Sequence, residues 1–326
     1  NWADVPYISI GALLILAGAL SKSAIAPTHF WLPGAMAAPT PVSAYLHSAA
    51  MVKAGIYLVA RLAPDFNVVS SWYLVTIPLG IFTMIMSGWM ALRQKDLKLI
   101  LAYGTVSQLG FIISVTGIGT REALLAGLAL TFSHSLFKAT LFMVVGAIDH
   151  TTGTRDINQL SGLWRRQPLM FALAAISAAS MAGIPPLFGF IAKETAIDSV
   201  LYEEMLRGMP GNLMLAGIIL GSIFTMAYSL YFLYGAFATK RHLFPENNGV
   251  STAVAESHPV AFKLWIAPFI LTSLTVILGL FPAPLSTPIV THLDNVTPGE
   301  PTYLALWHGF NLPLALSAII IVVGTA

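Results

Sequence analysis

The chain runs to 326 residues, of which 16 are Lys or Arg and 14 are Asp or Glu, so charged residues make up 9% against a hydrophobic 56%. Soluble domains carry about 25% charged residues, and a mean hydropathy of +0.78 leaves more apolar surface than a water-soluble fold of 34.8 kDa can cover. A soluble enzyme, a nucleic-acid binder and a disordered chain are excluded, and the lack of cysteine excludes disulfides, iron–sulfur clusters and thiolate metal sites.

The protein is therefore integral to a membrane. A spanning helix needs roughly 20 mostly apolar residues. Such runs fall near 5–26, 41–62, 71–92, 97–118, 122–148, 168–206 (interrupted), 211–239, 260–282 and 302–325. They are continuous rather than alternating, and Ala and Leu dominate them, which favours helices over barrel strands. The expectation is an all-α integral membrane protein of about nine crossings. Short connections without a flexible linker make residues 1–326 a single domain.

The basic residues orient the chain, because Lys and Arg collect in cytoplasmic loops. Arg93, Lys95, Lys98, Arg155, Arg165, Arg166, Lys240, Arg241 and Lys263 fall on one side; Arg61, Arg121 and Arg207 fall on the other. The split of nine against three holds if 168–206 crosses once, and it puts Asn1 outside and Ala326 in the cytoplasm.

Four lysines remain, and all lie inside predicted spans: Lys22, Lys53, Lys138 and Lys193. A charge at the bilayer centre costs at least ~2.5–3.5 kcal/mol, so such residues face a bundle interior or a wet cavity and mark ion paths. His134 lies four residues before Lys138, on the same helix face. His47 lies six residues before Lys53 in the second span. For Lys53 two readings stay open: part of the buried set, or an interfacial anchor like Arg61 further along. An imidazole and an amine side by side can pass a proton. Asp149, His150, Glu203, Glu204 and Arg207 read as solvated or interfacial ends.

Two spans are broken. Pro27 removes the hydrogen bond to the carbonyl of Ser23, beside Lys22, and Gly183, Pro185, Pro186 and Gly189 interrupt the sixth run just before Lys193 and Glu194. Breaks at membrane depth occur where protein or water satisfies the freed groups. Paired breaks in opposite-running spans point to an inverted repeat with the ion path between its halves. Glu194 is the one acid adjacent to any of the four lysines, and neighbours in sequence cannot face each other on a helix, so each is expected to find its partner elsewhere. Phosphate-loop, dinucleotide and zinc-protease motifs are absent, and the histidines do not group at metal spacing.

The stretch SKSAIAPTHFWLPGAMAAPTPVSAYLHSAAMVKAG, from Ser21 to Gly55, resembles the core signature of the antiporter-like membrane subunits. Respiratory complex I and the multisubunit Mrp-type cation/proton antiporters share these subunits. DLKLILAYGTVSQLG from Asp96 and HSLFKATLFMVVG from His134 match as well, and the likeness covers about residues 5 to 240. AIDHTTGTRDINQLSGLWRR, from Ala147 to Arg166, and the MVKAG around Lys53 look most like the A-type subunits of Mrp antiporters.

The resemblance implies two inverted five-helix repeats, each with a broken helix, and a polar axis of lysines and histidines. Lys22 then matches the lysine of the first broken helix, His47 the histidine of the bridging helix, His134 and Lys138 the central relay, and Lys193 the terminal lysine. It further implies exchange of protons for Na+ or a similar cation at the cell membrane, beside partner subunits and without cofactor or resident metal. The alternative is a proton-pumping subunit of a complex I-type oxidoreductase. Leu130 departs from the family, where a second histidine is common. The family's early helices and their membrane glutamate are not in the sequence, which is expected to be an internal stretch of a longer polypeptide.

Overall fold

The computed structural model describes residues 7–203, 206–245, 247–307 and 309–326; Asn1, Glu204 and the first residues of the first predicted span lie outside these. The described residues form helices and turns with no strand. The main helices are α1 (Ile8–Lys22), α2 (Thr40–Phe66), α3 (Ser70–Leu92), α4 (Leu97–Thr116), α5 (Arg121–Thr152), α6 (Pro168–Ala182), α7 (Phe188–Tyr202), α8 (Met209–Phe237), α9 (Phe262–Leu280), α10 (Ala283–Val296) and α11 (Leu312–Thr325). Six of them (α2, α3, α4, α5, α8 and α9) are long and apolar enough to cross a membrane, and α1, α6 and α11 are shorter apolar helices.

The bundle is built around α4, which is buried along nearly its whole length, whereas little of α9 is buried. Helix α4 packs beside α3 and α5, and α8 closes over α3 and α4. Its start is set by Asp96, whose carboxylate accepts from the Lys98 and Leu99 amides at 2.7 and 3.3 Å, satisfying two otherwise orphan donors. Large apolar side chains such as Phe82, Trp89, Leu274, Ile277 and Val322 are exposed on the outside, as expected of a surface that meets hydrocarbon rather than water.

Both predicted breaks are present, and their freed backbone groups find protein partners. After α1, the Ala26 amide donates to Thr83 Oγ1 at 3.0 Å, Trp31 Nε1 donates to the Ser21 carbonyl at 3.0 Å, and Ser23 Oγ donates to the Val52 carbonyl at 2.9 Å. Between α6 and α7 the chain reverses at Gly183, with φ +84°, a conformation that favours glycine. There the Gly189 amide donates to Ser180 Oγ at 3.1 Å. Helix α2 carries a wide π turn over Tyr45–Ala49, leaves helical geometry at Ala50, and resumes as a regular helix at Lys53.

Three basic residues expected in loops are buried instead. Lys98 Nζ donates to the Met36 carbonyl at 2.9 Å and to that of Ala38, so the first turn of α4 holds the end of the first break. Lys240 Nζ donates to the carbonyls of Ile157, Leu160 and Gly235 at 2.5, 2.8 and 2.7 Å. Arg121, at the start of α5, pairs with Asp294 at 2.5 Å and donates to the Thr297 carbonyl at 2.9 Å. That pair fixes α10, a helix in a stretch expected to be a loop. The last predicted span, 302–325, is helical only from Leu312.

Candidate functional site

Helix α5 carries the centre of the site. The i, i+4 spacing puts His134 and Lys138 on one inward face, and both are buried. His134 turns toward α2, where its Nδ1 lies 2.8 Å from Lys53 Nζ; the same amine donates to the Thr131 carbonyl at 3.3 Å. Lys53 is thereby an interior residue rather than an interfacial anchor. With Lys53 donating, Nδ1 is the acceptor of a neutral ring and Nε2 carries the proton, although Nε2 has no hydrogen-bond partner.

Lys138 turns the other way. Its ammonium donates to the Leu101 carbonyl on α4 at 3.2 Å and stands 5.7 Å from the centre of the Tyr228 ring on α8. Gly104 makes this possible, since a Cβ there would lie 2.9 Å from Lys138 Nζ and 3.0 Å from the Tyr228 ring. Tyr228 Oη donates to the Gly104 carbonyl at 3.4 Å, and Gln108 Nε2 donates to Thr225 Oγ1 at 3.0 Å and to Tyr228 Oη at 3.4 Å. A buried polar layer therefore joins α4, α5 and α8. Reading the sequence alone misses Gln108 and Tyr228; the signal that marks them is a polar side chain within an apolar run, in Gln108's case inside the DLKLILAYGTVSQLG motif.

The remaining predicted residues flank this centre. His47 is buried in the π turn, its ring 6.2 Å from Trp31 and 6.3 Å from Phe142, with Nδ1 unpartnered. Lys193 is buried in α7, and its ammonium donates to the Ala182 carbonyl at 2.6 Å, on the last residue of α6. A lysine thus caps the broken end of the preceding helix, where the helix dipole favours a cation. Lys22 behaves differently: as the last residue of α1 it is exposed, and no hydrogen bond joins it to the α5 centre. Glu194 is buried, and its Oε2 has no partner among the described residues, contrary to the expected pairing elsewhere.

The structure therefore joins Lys53 to His134, sets the buried Lys138 one turn along α5 and facing α4 and α8, and leaves His47 buried on α2 six residues before Lys53. Ser43, Ser133 and Ser222 add buried hydroxyls without partners. Among the described residues no cluster of His, Asp and Glu could hold a metal ion. Proton donors and acceptors are what this arrangement offers.

Residues 1–225 match the NADH:quinone oxidoreductase/Mrp antiporter transmembrane family. The chain belongs to that family. It is 40% identical to the A-type subunit of a Na(+)/H(+) antiporter from Alkalihalophilus pseudofirmus, over 96% of this chain and 41% of that protein. It is 39% identical to an A1-type Na(+)/H(+) antiporter subunit of Staphylococcus epidermidis, again over 96% of the chain and 41% of the relative. The chain thus spans about two fifths of the length of these relatives. Among solved structures, the Mrp complex of a Dietzia species superposes with a TM-score of 0.88 at 36% identity, covering 99% of this chain and 34% of that one. A membrane-bound sulfane sulfur reductase, an archaeal respiratory complex, gives 0.75 at 25% identity, over 89% of this chain and 56% of the other.

Proposed function

We propose that the chain is the proton-carrying part of a membrane subunit of a multisubunit cation/proton antiporter, exchanging H+ for Na+ or a similar monovalent cation. The observation that carries this reading is the buried Lys53–His134 contact with Lys138 one turn further along α5. Ionisable groups are costly inside an apolar bundle and mark ion paths there, and this interior holds three of them, of two types. The 40% identity to the A-type antiporter protein supports the assignment over the oxidoreductase alternative.

In this reading a proton passes among His47, Lys53, His134, Lys138 and Lys193 through hydroxyls and water. A charge on one amine disfavours a charge on the next; at ~8 Å and an effective dielectric near ~20 the coupling is about 2 kcal/mol, enough to bias occupancy by more than tenfold. The exposed Lys22 would meet its counter-charge on another part of the assembly. The same reading takes the chain as one domain of nine crossings in two inverted repeats in the cell membrane, with Ala326 on the cytoplasmic side and Asn1, beyond the described residues, outside. Partner subunits, the sodium substrate and the absence of covalent chemistry belong to the proposal.

The test is Lys138→Ala in the complete complex, with ΔpH-driven cation exchange measured in vesicles. Loss of exchange in a fully assembled complex is the expected result. Undiminished exchange would reduce the buried lysines to a scaffold. Identification of the co-purifying subunits separates the antiporter from the oxidoreductase reading.

A further inference from the structure

One aromatic side chain meets both the broken end of α1 and the imidazole of His47. Trp31 opens a short turn of helix, Trp31–Gly34, that follows the first break. Its indole N–H donates to the Ser21 carbonyl at 3.0 Å, in the last turn of α1 and one residue from Lys22. Its ring centre lies 6.2 Å from that of His47 in the π turn of α2, with the two planes tilted by 44°. Phe142, one turn beyond Lys138 on α5, meets the same imidazole at 6.3 Å.

His47 is only 1% exposed, and its Nδ1 has no hydrogen-bond partner. Which nitrogen of an imidazole carries the proton is ordinarily set by the hydrogen bond the other one makes, as Lys53 sets it for His134. At His47 two aromatic rings hold the side chain instead, and a ring contact fixes its place without fixing its proton. Aromatic faces also attract a neighbouring cation, which aliphatic carbon does not. The indole itself relays nothing, because its nitrogen donates and has no lone pair to accept with.

We propose that Trp31 is the positioning residue of His47, holding the imidazole by its aromatic face so that the ring stays free to take and give a proton. This role rests on the antiporter reading and adds to it a residue that does not itself titrate. The hydrogen bond to Ser21 makes the indole a mechanical link as well. A shift of the α1 end beside Lys22 reaches the His47 ring through Trp31, with no proton passing between the two.

The experiment compares Trp31→Leu, Trp31→Phe, His47→Leu and the Trp31→Leu/His47→Leu double variant with the unaltered complete complex in vesicles. Exchange is normalised to assembled complex, and each variant is also melted. Trp31→Leu is expected to lower the maximal rate severalfold, with the sodium concentration for half-maximal exchange and the melting temperature little changed. Trp31→Phe, which keeps an aromatic face and loses the donor, recovers part of the rate. The double variant loses no more than His47→Leu alone. An unchanged rate in Trp31→Leu overturns the proposal, and so does a double variant whose loss is the product of the two single losses. Equal rates in Trp31→Leu and Trp31→Phe overturn it too, and they decide the matter where His47→Leu leaves no measurable exchange. If Trp31→Leu fails to assemble, Trp31→Phe is combined with His47→Leu, and a multiplied loss there overturns it. Each of these failures leaves exchange by the unaltered complex, and so the antiporter reading, intact. Absence of sodium-dependent exchange in the unaltered complex overturns both proposals together.

Discussion

Lys53 Nζ and His134 Nδ1 lie 2.8 Å apart and join α2 to α5 inside the bundle. An amine and an imidazole at this distance make one hydrogen bond between the helices and cannot both be charged cheaply.

The first prediction concerns this pair. Lys53→Met and His134→Leu each lower ΔpH-driven exchange by about tenfold or more, as expected for loss of a positioned proton carrier. Because the two act through one contact, the double variant loses no more than the worse single one, a coupling measured by a double-mutant cycle. Additive losses would show that they work separately.

A second prediction follows from Gly104. Gly104→Ala puts a methyl where Lys138 Nζ and the Tyr228 ring now sit. The flexible amine gives way first, so the complex assembles while exchange falls severalfold. Tyr228→Phe, which removes the hydroxyl donated to the Gly104 carbonyl but adds no bulk, gives a smaller loss. Vesicle exchange rates, normalised to assembled complex, rank the two.

The third concerns Lys98. Lys98→Met leaves the Met36 and Ala38 carbonyls without their donor, at a cost of about 1–3 kcal/mol for buried groups left unpaired. The purified complex is expected to melt at a lower temperature, and the segment after the first break to exchange its amides faster. A thermal melt checks the first half of that expectation, and hydrogen exchange read by mass spectrometry checks the second.

The fourth is a pH dependence outside the spanning helices. Burial pushes the Lys240 ammonium down to about 8, although Asp156 opposes the shift. A lysine depressed in the folded state releases its proton before the unfolded chain does, so between pH 8 and the usual lysine range the unfolded state binds more protons. Stability from this group therefore rises with pH across that window and is flat below it. Thermal melts of the unaltered complex at pH 7 and pH 9.5 should show the increment, and Lys240→Met should remove it.

The pairing of His134 with Lys138 on one face is legible because four-residue spacing on a helix is independent of anything outside that helix. Both breaks are legible from Pro27 and from the Gly183–Gly189 cluster for the same local reason. The sequence leaves Lys53 undecided, since its direction depends on a π turn six residues earlier that no local pattern announces. Lys98 and Lys240 are misplaced by the sequence because counting charges assigns a lysine beside a span to a loop; neither count nor hydropathy reveals that backbone carbonyls from a distant segment surround its tip. Likewise Arg121 finds its partner, Asp294, 173 positions away. Glu194 can be recognised as unusual beside a lysine, but its unmet oxygen is a property of three-dimensional packing.

The π turn over Tyr45–Ala49 has a consequence for the phasing of α2. Each residue of a helix advances the next by about 100°, and a widened turn absorbs one extra residue. With the turn at Ala50–Val52 held as it is, straightening Tyr45–Ala49 into regular helix, or deleting one residue from it, would swivel everything beyond by about a quarter turn and carry the Lys53 tip away from His134. The bulge thus acts as a set screw for the angular alignment of α2 against α5, and small adjustments there would connect or disconnect the two helices without moving either axis.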